Sequence, residues 1–490
     1  MIPTPTEVSP EDLAIPEAPK MPEVDRPRAQ AFVPWRWDVH RRLGLCAAMA
    51  GTLVAIILVP KYCDVPGRLT WAALAMSLGL LAVPLRVMFK SPGSILHPVV
   101  VTAAAPVYWL LLDLIQGTYG LGAITQPVVR FAFLAIGLFS ASVWLASFAR
   151  PRRIPGLIKG AATIALSAST LYGIGVVAFI LAFLRFAIPA EFNPGVMLAA
   201  FSDNRWAAPW SRGSLGGWDA FLDHLSYFGY ILPPITAFLA RRKGLFHWRT
   251  LVLLAFTLII LALFSTGGGR RIIGVMAGSG LVVWLLSSRR PSRKDFLVLG
   301  ALGAGLLMFM QSMLVYRGVG ITAAFAEEAV VDEEDEPEQL RVDDNFLRLT
   351  QVIHIIPNLH PHTGLEYVLW VAVRPVPRVL WPGKPLDPGF DLPSFQGMRG
   401  VSLSMSLVGE LYMAFGFLGC VGGGLLMGYL ANSLAQLLSR GATPGALIIF
   451  GGSLLALFAG MRSGIELILM SYGVLAWISL AWVLRKARMQ

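Results

Sequence analysis

Apolar runs of membrane-crossing length recur along most of this chain, and they constrain it more than any motif does. A straight membrane-crossing helix needs roughly 20 predominantly apolar residues. Runs near that length lie at 43–59, 69–88, 98–115, 128–149, 161–188 and 224–240, and again at 248–266, 272–288, 296–316, 407–434, 444–461 and 465–484. The expected fold is an all-α polytopic membrane protein with about twelve transmembrane helices. Hydrophobic residues make up 56% of the chain and charged ones 14%, outside ordinary soluble usage. Cys46, Cys63 and Cys420 lack C-x-x-C spacing, which argues against a disulfide framework and against a zinc site.

Lysine and arginine placement predicts the orientation. With the amino terminus inside, the cytoplasmic connections carry fifteen Lys and Arg and the short outer ones six. Both termini are therefore expected in the cytoplasm, and the net charge of +11 reads as cytoplasmic loops rather than nucleic-acid binding. The domain organisation follows. Residues 1–42, with eight prolines, read as a disordered cytoplasmic tail. Residues 43–316 carry transmembrane helices 1–9, with an outer loop at 190–223. Residues 317–400 form a large outer loop with short helices, and 401–490 carry helices 10–12 and a short cytoplasmic tail.

The large outer loop holds the densest chemistry. From Arg374 to Pro385 it reads RPVPRVLWPGKP, with Arg374, Arg378 and Lys384 among four prolines. Proline fixes φ and removes a backbone donor, so this is a stiff, non-helical strap suited to gripping an anion. Arg317 and Arg399 stand near the ends of the loop. Upstream, Ser265-Thr-Gly-Gly-Gly-Arg-Arg271 joins two apolar runs on the outer side. The glycines allow a tight turn, and the arginines open the next helix, where the amino-terminal dipole and guanidinium forks favour phosphate. Arginines snorkelling to headgroups are the alternative. Arg462 opens the last outer turn, with Glu466 one helical turn on as an ion-pair partner.

Other features have competing readings. Trp206, Trp210 and Trp218 suit an interfacial belt or a sugar platform. The run 327–338 carries eight acids in twelve residues without EF-hand spacing, and reads as a solvated loop. In 343–356, Phe346, Leu349, Ile353 and Ile356 share one helical face, predicting a short amphipathic helix on the outer membrane surface, with His354 on it. His360 and His362 flank Pro361 and fit loop packing best, then a general base or substrate contact, and least a metal pair. Glu410 is a carboxylate near the outer mouth of an apolar run, a functional candidate or an arginine partner.

Pro377-Arg378 and Trp381-Pro-Gly-Lys-Pro385, followed by Gly-Glu-x-Tyr-x-x-Phe-Gly-x-x-Gly over 409–419, resemble the bacterial Wzy-type oligosaccharide repeat-unit polymerases. The glycine-arginine turn at 267–271 and the late outer loop are similar too, so the resemblance covers mainly Ser265 to Glu466. The proline-rich amino tail and the acidic insert depart from it. The resemblance implies a bacterial inner-membrane glycosyltransferase working at the periplasmic face. It would join undecaprenyl-diphosphate-linked repeat units into O-antigen, capsule or exopolysaccharide, with no cofactor. Its expected partners are the lipid-linked oligosaccharide, membrane lipids, a Wzz-like chain-length regulator and a Wzx-like flippase.

Such transfer needs cations where the departing diphosphate gains charge and a base for the attacking hydroxyl. With no D-x-D metal pair, the first task falls to Arg270, Arg271 and Arg462, with Arg317, Arg374, Arg378, Lys384 and Arg399 from the loop. Tyr412, in the Gly-Glu-x-Tyr motif, is assigned to substrate. The base ranks Glu410, then His354, then Glu366. An O-antigen ligase, which transfers finished polymer, a lipid-linked sugar transporter or flippase, and a non-catalytic assembly component are the alternatives.

Overall fold

A computed structural model describes residues 37–150, 154–202, 207–211, 219–267, 269–288, 291–316, 340, 342–376, 380–385, 387–398, 403–439 and 443–487. Among these residues the chain is helical, without strands. Among the described residues nine helices are long and apolar enough to cross a membrane, as expected of a polytopic membrane protein.

Helices α1 (Trp37–Leu58) and α2 (Thr70–Lys90) pack along each other. The run at 98–115 is α3 (Pro98–Pro106), a π-turn at Val107–Leu111 and α4 (Leu112–Gln116). After α5 (Gln126–Ala146), the run at 161–188 divides into α6 (Gly156–Thr163) and α7 (Ala168–Ala187). The Ser167 hydroxyl restarts the helix by accepting from Thr170 N at 3.0 Å.

In the 190–223 loop lie α8 (Pro194–Ala199) and the start of α9 (Asp219–Ser226). A tight turn at Tyr227–Ile231 leads on to α10 (Leu232–Lys243), which places Pro233 and Pro234 in its first turn, where no amide partner is lost. The run at 224–240 is thus composite rather than one helix. Next come α11 (Trp248–Thr266), α12 (Arg270–Leu286) and α13 (Arg293–Tyr316). The outer face of α13 is exposed, Leu297 and Met308 included, as suits a helix facing lipid.

Within the large loop are α14 (Asn345–Ile355), α15 (Leu365–Ala372) and the single turn α16 (Leu392–Phe395). The apolar face predicted for α14 exists, but it does not lie on the membrane surface. Phe346, Leu349, Val352 and Ile353 are buried against α5 and the following long helix, and the Phe346 ring meets Phe133 at 5.0 Å. Amphipathic periodicity specifies which face is covered, not whether lipid or protein covers it.

That long helix is α17 (Ser406–Ser439), followed by α18 (Pro444–Ala459) and α19 (Gly464–Ala487). Helix α17 breaks at Phe415 and Gly416, where Gly416 takes φ 63° and ψ −147°, a conformation open in practice only to glycine. The break frees two carbonyls, and the large loop satisfies them: Thr363 N reaches Met413 O at 3.2 Å and Gly364 N reaches Ala414 O at 2.9 Å. Below the break, Gly424 and Gly428 sit directly on the backbone of Phe139 and Val143, so α17 runs tightly along α5. Small residues allow this packing in a solvent that gives apolar side chains no reason to associate.

The helix ends gather in two groups. In one, Trp109 Nε1 donates to Phe458 O (2.8 Å), Asn345 Nδ2 to Trp109 O (2.9 Å) and Ser404 Oγ to Arg462 O (2.7 Å). In the other, Asn432 Nδ2 donates to Ala149 O (2.9 Å), Trp477 Nε1 to Ala161 O (3.3 Å), and Arg241 pairs with Asp295.

Candidate functional site

The first group of ends holds an arginine corner built from distant stretches of chain. The turn between α11 and α12 delivers Arg270 and Arg271, and the turn between α18 and α19 delivers Arg462. Between them stands Asp343, in the short non-helical lead into α14. Its Oδ2 accepts from Arg462 Nε at 2.6 Å, and its Oδ1 from Arg270 Nη2 at 3.4 Å. Arg270 also donates to Val342 O. Glu466 Oε1 pairs with Arg271 and receives Arg462 Nη1 at 3.4 Å. The ion pair expected from the spacing of Arg462 and Glu466 is therefore present, inside a larger network.

The strand of chain carrying Asp343 is anchored from below. Val342 is buried, and its N–H donates to Asp113 Oδ1 at 3.3 Å. Gln116 exchanges two hydrogen bonds with the Leu340 backbone, at 2.9 and 3.0 Å. The amino-terminal end of α14 is pinned by Asn345 on Trp109, as noted.

Behind Arg462 is a buried carboxylate pocket. Glu410 Oε1 accepts from Ser463 Oγ at 2.6 Å, while Oε2 accepts from Gly464 N at 2.7 Å and Tyr367 Oη at 2.8 Å. A Cβ on Gly464 would stand 2.5 Å from Tyr367 Oη, so only glycine leaves room for this set. Burial first, and the neighbouring Glu410 carboxylate second, push the Tyr367 phenol well above its ordinary value. It therefore stays protonated and donating at neutral pH. Both Glu410 oxygens are engaged by donors, which suits a carboxylate that holds three elements together better than one that removes a proton.

The other candidates lie elsewhere, in the large loop and, for Tyr412, on α17. Lys384 is buried, and its ammonium donates to Arg374 O (2.9 Å) and Val376 O (2.8 Å), closing the strap on itself. Arg374 is half-buried and within electrostatic reach of Tyr472 on α19. His354 is exposed on the side of α14 away from the core, and Glu366 is exposed beside Gly389. Tyr412 is buried edge-on to Phe417 at 5.2 Å. His360 and His362 do not converge: His360 Nδ1 contacts Pro361 O (2.7 Å) and His362 Nδ1 contacts Met413 O (3.2 Å). Arg317, Arg378 and Arg399, with the acidic run 327–338, lie outside the described residues.

Of the three loop tryptophans, Trp206 and Trp218 also lie outside the described residues. Trp210 is buried: its carbonyl accepts from Arg185 Nη2 (2.8 Å) and its Nε1 donates to Thr266 Oγ1 (3.1 Å). It braces the turn leading to Arg270 rather than offering an open platform.

Sequence reasoning missed Asp343, Tyr367 and Ser463. Asp343 sits in an Asp-Asp-Asn start that reads as helix capping, yet Asp344 at the N-cap makes no side-chain cap bond and pairs with Arg348 one turn on. The surplus acid of that pair was the available signal. Comparison with known family models, curated proteins and solved structures finds no match to this chain.

Proposed function

We propose that this protein is a membrane glycosyltransferase of the repeat-unit polymerase type. It joins polyprenyl-diphosphate-linked oligosaccharides at the outer face of a bacterial cytoplasmic membrane. In this reading twelve segments cross the membrane with both termini inside, which puts the arginine corner and the 317–400 loop on the outer side.

The observation that carries the reading is the convergence of Arg270, Arg271 and Arg462. Three cations from two turns that are far apart in sequence meet at one corner of the bundle. Lysine and arginine are disfavoured on the outer side, so such a gathering calls for an anion. A diphosphate leaving group is an anion whose charge grows during transfer, and fixed guanidinium groups at that point lower the barrier. The hydrogen bonds holding Asp343, Glu466 and Ser463 keep the arginines oriented before the ligand arrives. In this reading the proline strap and Tyr412 serve the sugar.

The test is elongation of a synthetic polyprenyl-diphosphate-linked repeat unit by the purified chain in proteoliposomes. Longer lipid-linked products from wild-type protein, lost in Arg462→Ala, support the reading. Transport of the unit without a new glycosidic bond, or transfer only to a non-lipid acceptor, refutes it in favour of a transporter or a ligase respectively.

A further inference from the structure

The arginine corner is nearly neutralised from within. Arg270, Arg271 and Arg462 bring three positive charges, and Asp343 and Glu466 bring two negative ones. The two carboxylates are not equivalent. Glu466 belongs to α19, one turn beyond Arg462, and its side chain is 11% exposed. Asp343 belongs to no helix, is 28% exposed, and divides its oxygens between two arginines that come from different turns. Carboxylate and phosphate present similar oxygen pairs to guanidinium forks, so a group that bridges two arginines in this way mimics a bound phosphate.

We infer that Asp343 is an internal stand-in for the ligand's anion, one that a diphosphate displaces and a singly charged headgroup does not. The inference rests on reading the corner as an anion site, and it names how that site is kept selective. An entering phosphate faces Asp343 at a few ångströms, where like charges in a partly buried site repel strongly. The side chain must swing out. The backbone beneath it need not move, because Val342 is buried and held by Asp113. Displacing one carboxylate costs the corner one negative charge. A phosphodiester headgroup returns one charge and gains nothing, whereas a diphosphate returns more than one. The empty site is thereby protected from the phospholipids around it.

The test uses the full chain in nanodiscs of neutral lipid. It is titrated separately with undecaprenyl diphosphate, with inorganic pyrophosphate, and with added phosphatidylglycerol. Asp343→Asn is expected to bind both diphosphates about tenfold more tightly than wild type, equivalent to about 1.4 kcal/mol. It is also expected to acquire affinity for phosphatidylglycerol that the wild type lacks. Equal gains for the two diphosphates assign the corner to the bare anion, and a gain confined to the lipid form assigns it to the lipid-linked one. Wild-type binding that Asp343→Asn leaves unchanged or weakens overturns the inference while sparing the anion site.

A second measurement does not depend on that variant folding. Carbodiimide labelling of the Asp343 carboxylate in the wild-type chain should increase when undecaprenyl diphosphate is added, because the side chain leaves Arg270 and Arg462. Labelling of Asp343 that stays the same or falls overturns the inference. Diphosphate binding that survives in Arg270→Ala/Arg462→Ala overturns the anion-site reading itself.

Discussion

Tyr367 donates a 2.8 Å hydrogen bond to Glu410 in the interior of the protein, tying the large loop to the amino-terminal part of α17. The same carboxylate oxygen takes Gly464 N, and the other takes Ser463 Oγ, so the residues next to Arg462 hang on one side chain. Tyr367→Phe should destabilise the protein by about 1.5–3 kcal/mol, the usual worth of a hydrogen bond to a charged group. Gly464→Ala should do comparable damage, because its Cβ would displace the same phenol. The double variant should cost clearly less than the sum, since both lesions remove one interaction. Thermal unfolding in detergent measures all three. Simple additivity would show that the two residues do not share a contact.

Glu410 itself separates holding from proton transfer. Glu410→Ala leaves three buried donors unsatisfied and should cost about 3 kcal/mol or more. Glu410→Gln keeps one oxygen for Gly464 and Tyr367, and Ser463 can rotate to accept from the amide. It should retain most of the stability and most of the transfer activity. A Gln variant that is fully stable yet inactive would make Glu410 the base as well as the holding group.

For Arg462 the prediction concerns shape as well as charge. Its Nε and Nη1 engage Asp343 and Glu466 in different directions, which an ammonium on a single stem does not reproduce. Arg462→Lys should therefore lose transfer activity at least tenfold, and Arg462→Ala at least a hundredfold, with protein level unchanged. Lysine restoring full activity in the elongation assay would reduce the corner to a diffuse positive field.

The break in α17 offers a test far from any charge. Gly416→Ala places a Cβ in a backbone region that non-glycine residues avoid, at a cost of about 1–3 kcal/mol. That Cβ would also stand 3.3 Å from the His362 ring, within the loop that satisfies the freed carbonyls. A lowered melting temperature and faster proteolysis of the 357–364 segment are expected. Neither change would mean that the break relaxes into ordinary helix.

How far the sequence could be read depended on which interaction set each feature. The long helices were legible because lipid demands apolar length, and the twelve apolar runs coincide with helical segments of the fold. Their interruptions at 164–167 and 227–231 were not, because apolar composition continues across a break whose polar groups are satisfied inside the protein. The arginines of the corner were legible singly, as cations at the ends of apolar runs. Their junction through Asp343 was not, since it joins residues 119 positions apart in the chain. Glu410 was legible as an ionisable group in an apolar run. Its partners were hidden because Tyr367, Ser463 and the Gly464 amide are ordinary residues until the fold brings them together.

The most direct measurement is the structure of the full chain in nanodiscs with undecaprenyl diphosphate bound. The account predicts phosphate oxygens within hydrogen-bonding distance of Arg270 and Arg462, with the Asp343 side chain turned away from both. Phosphate density elsewhere, with Arg270 and Arg462 still closed on Asp343, would contradict it.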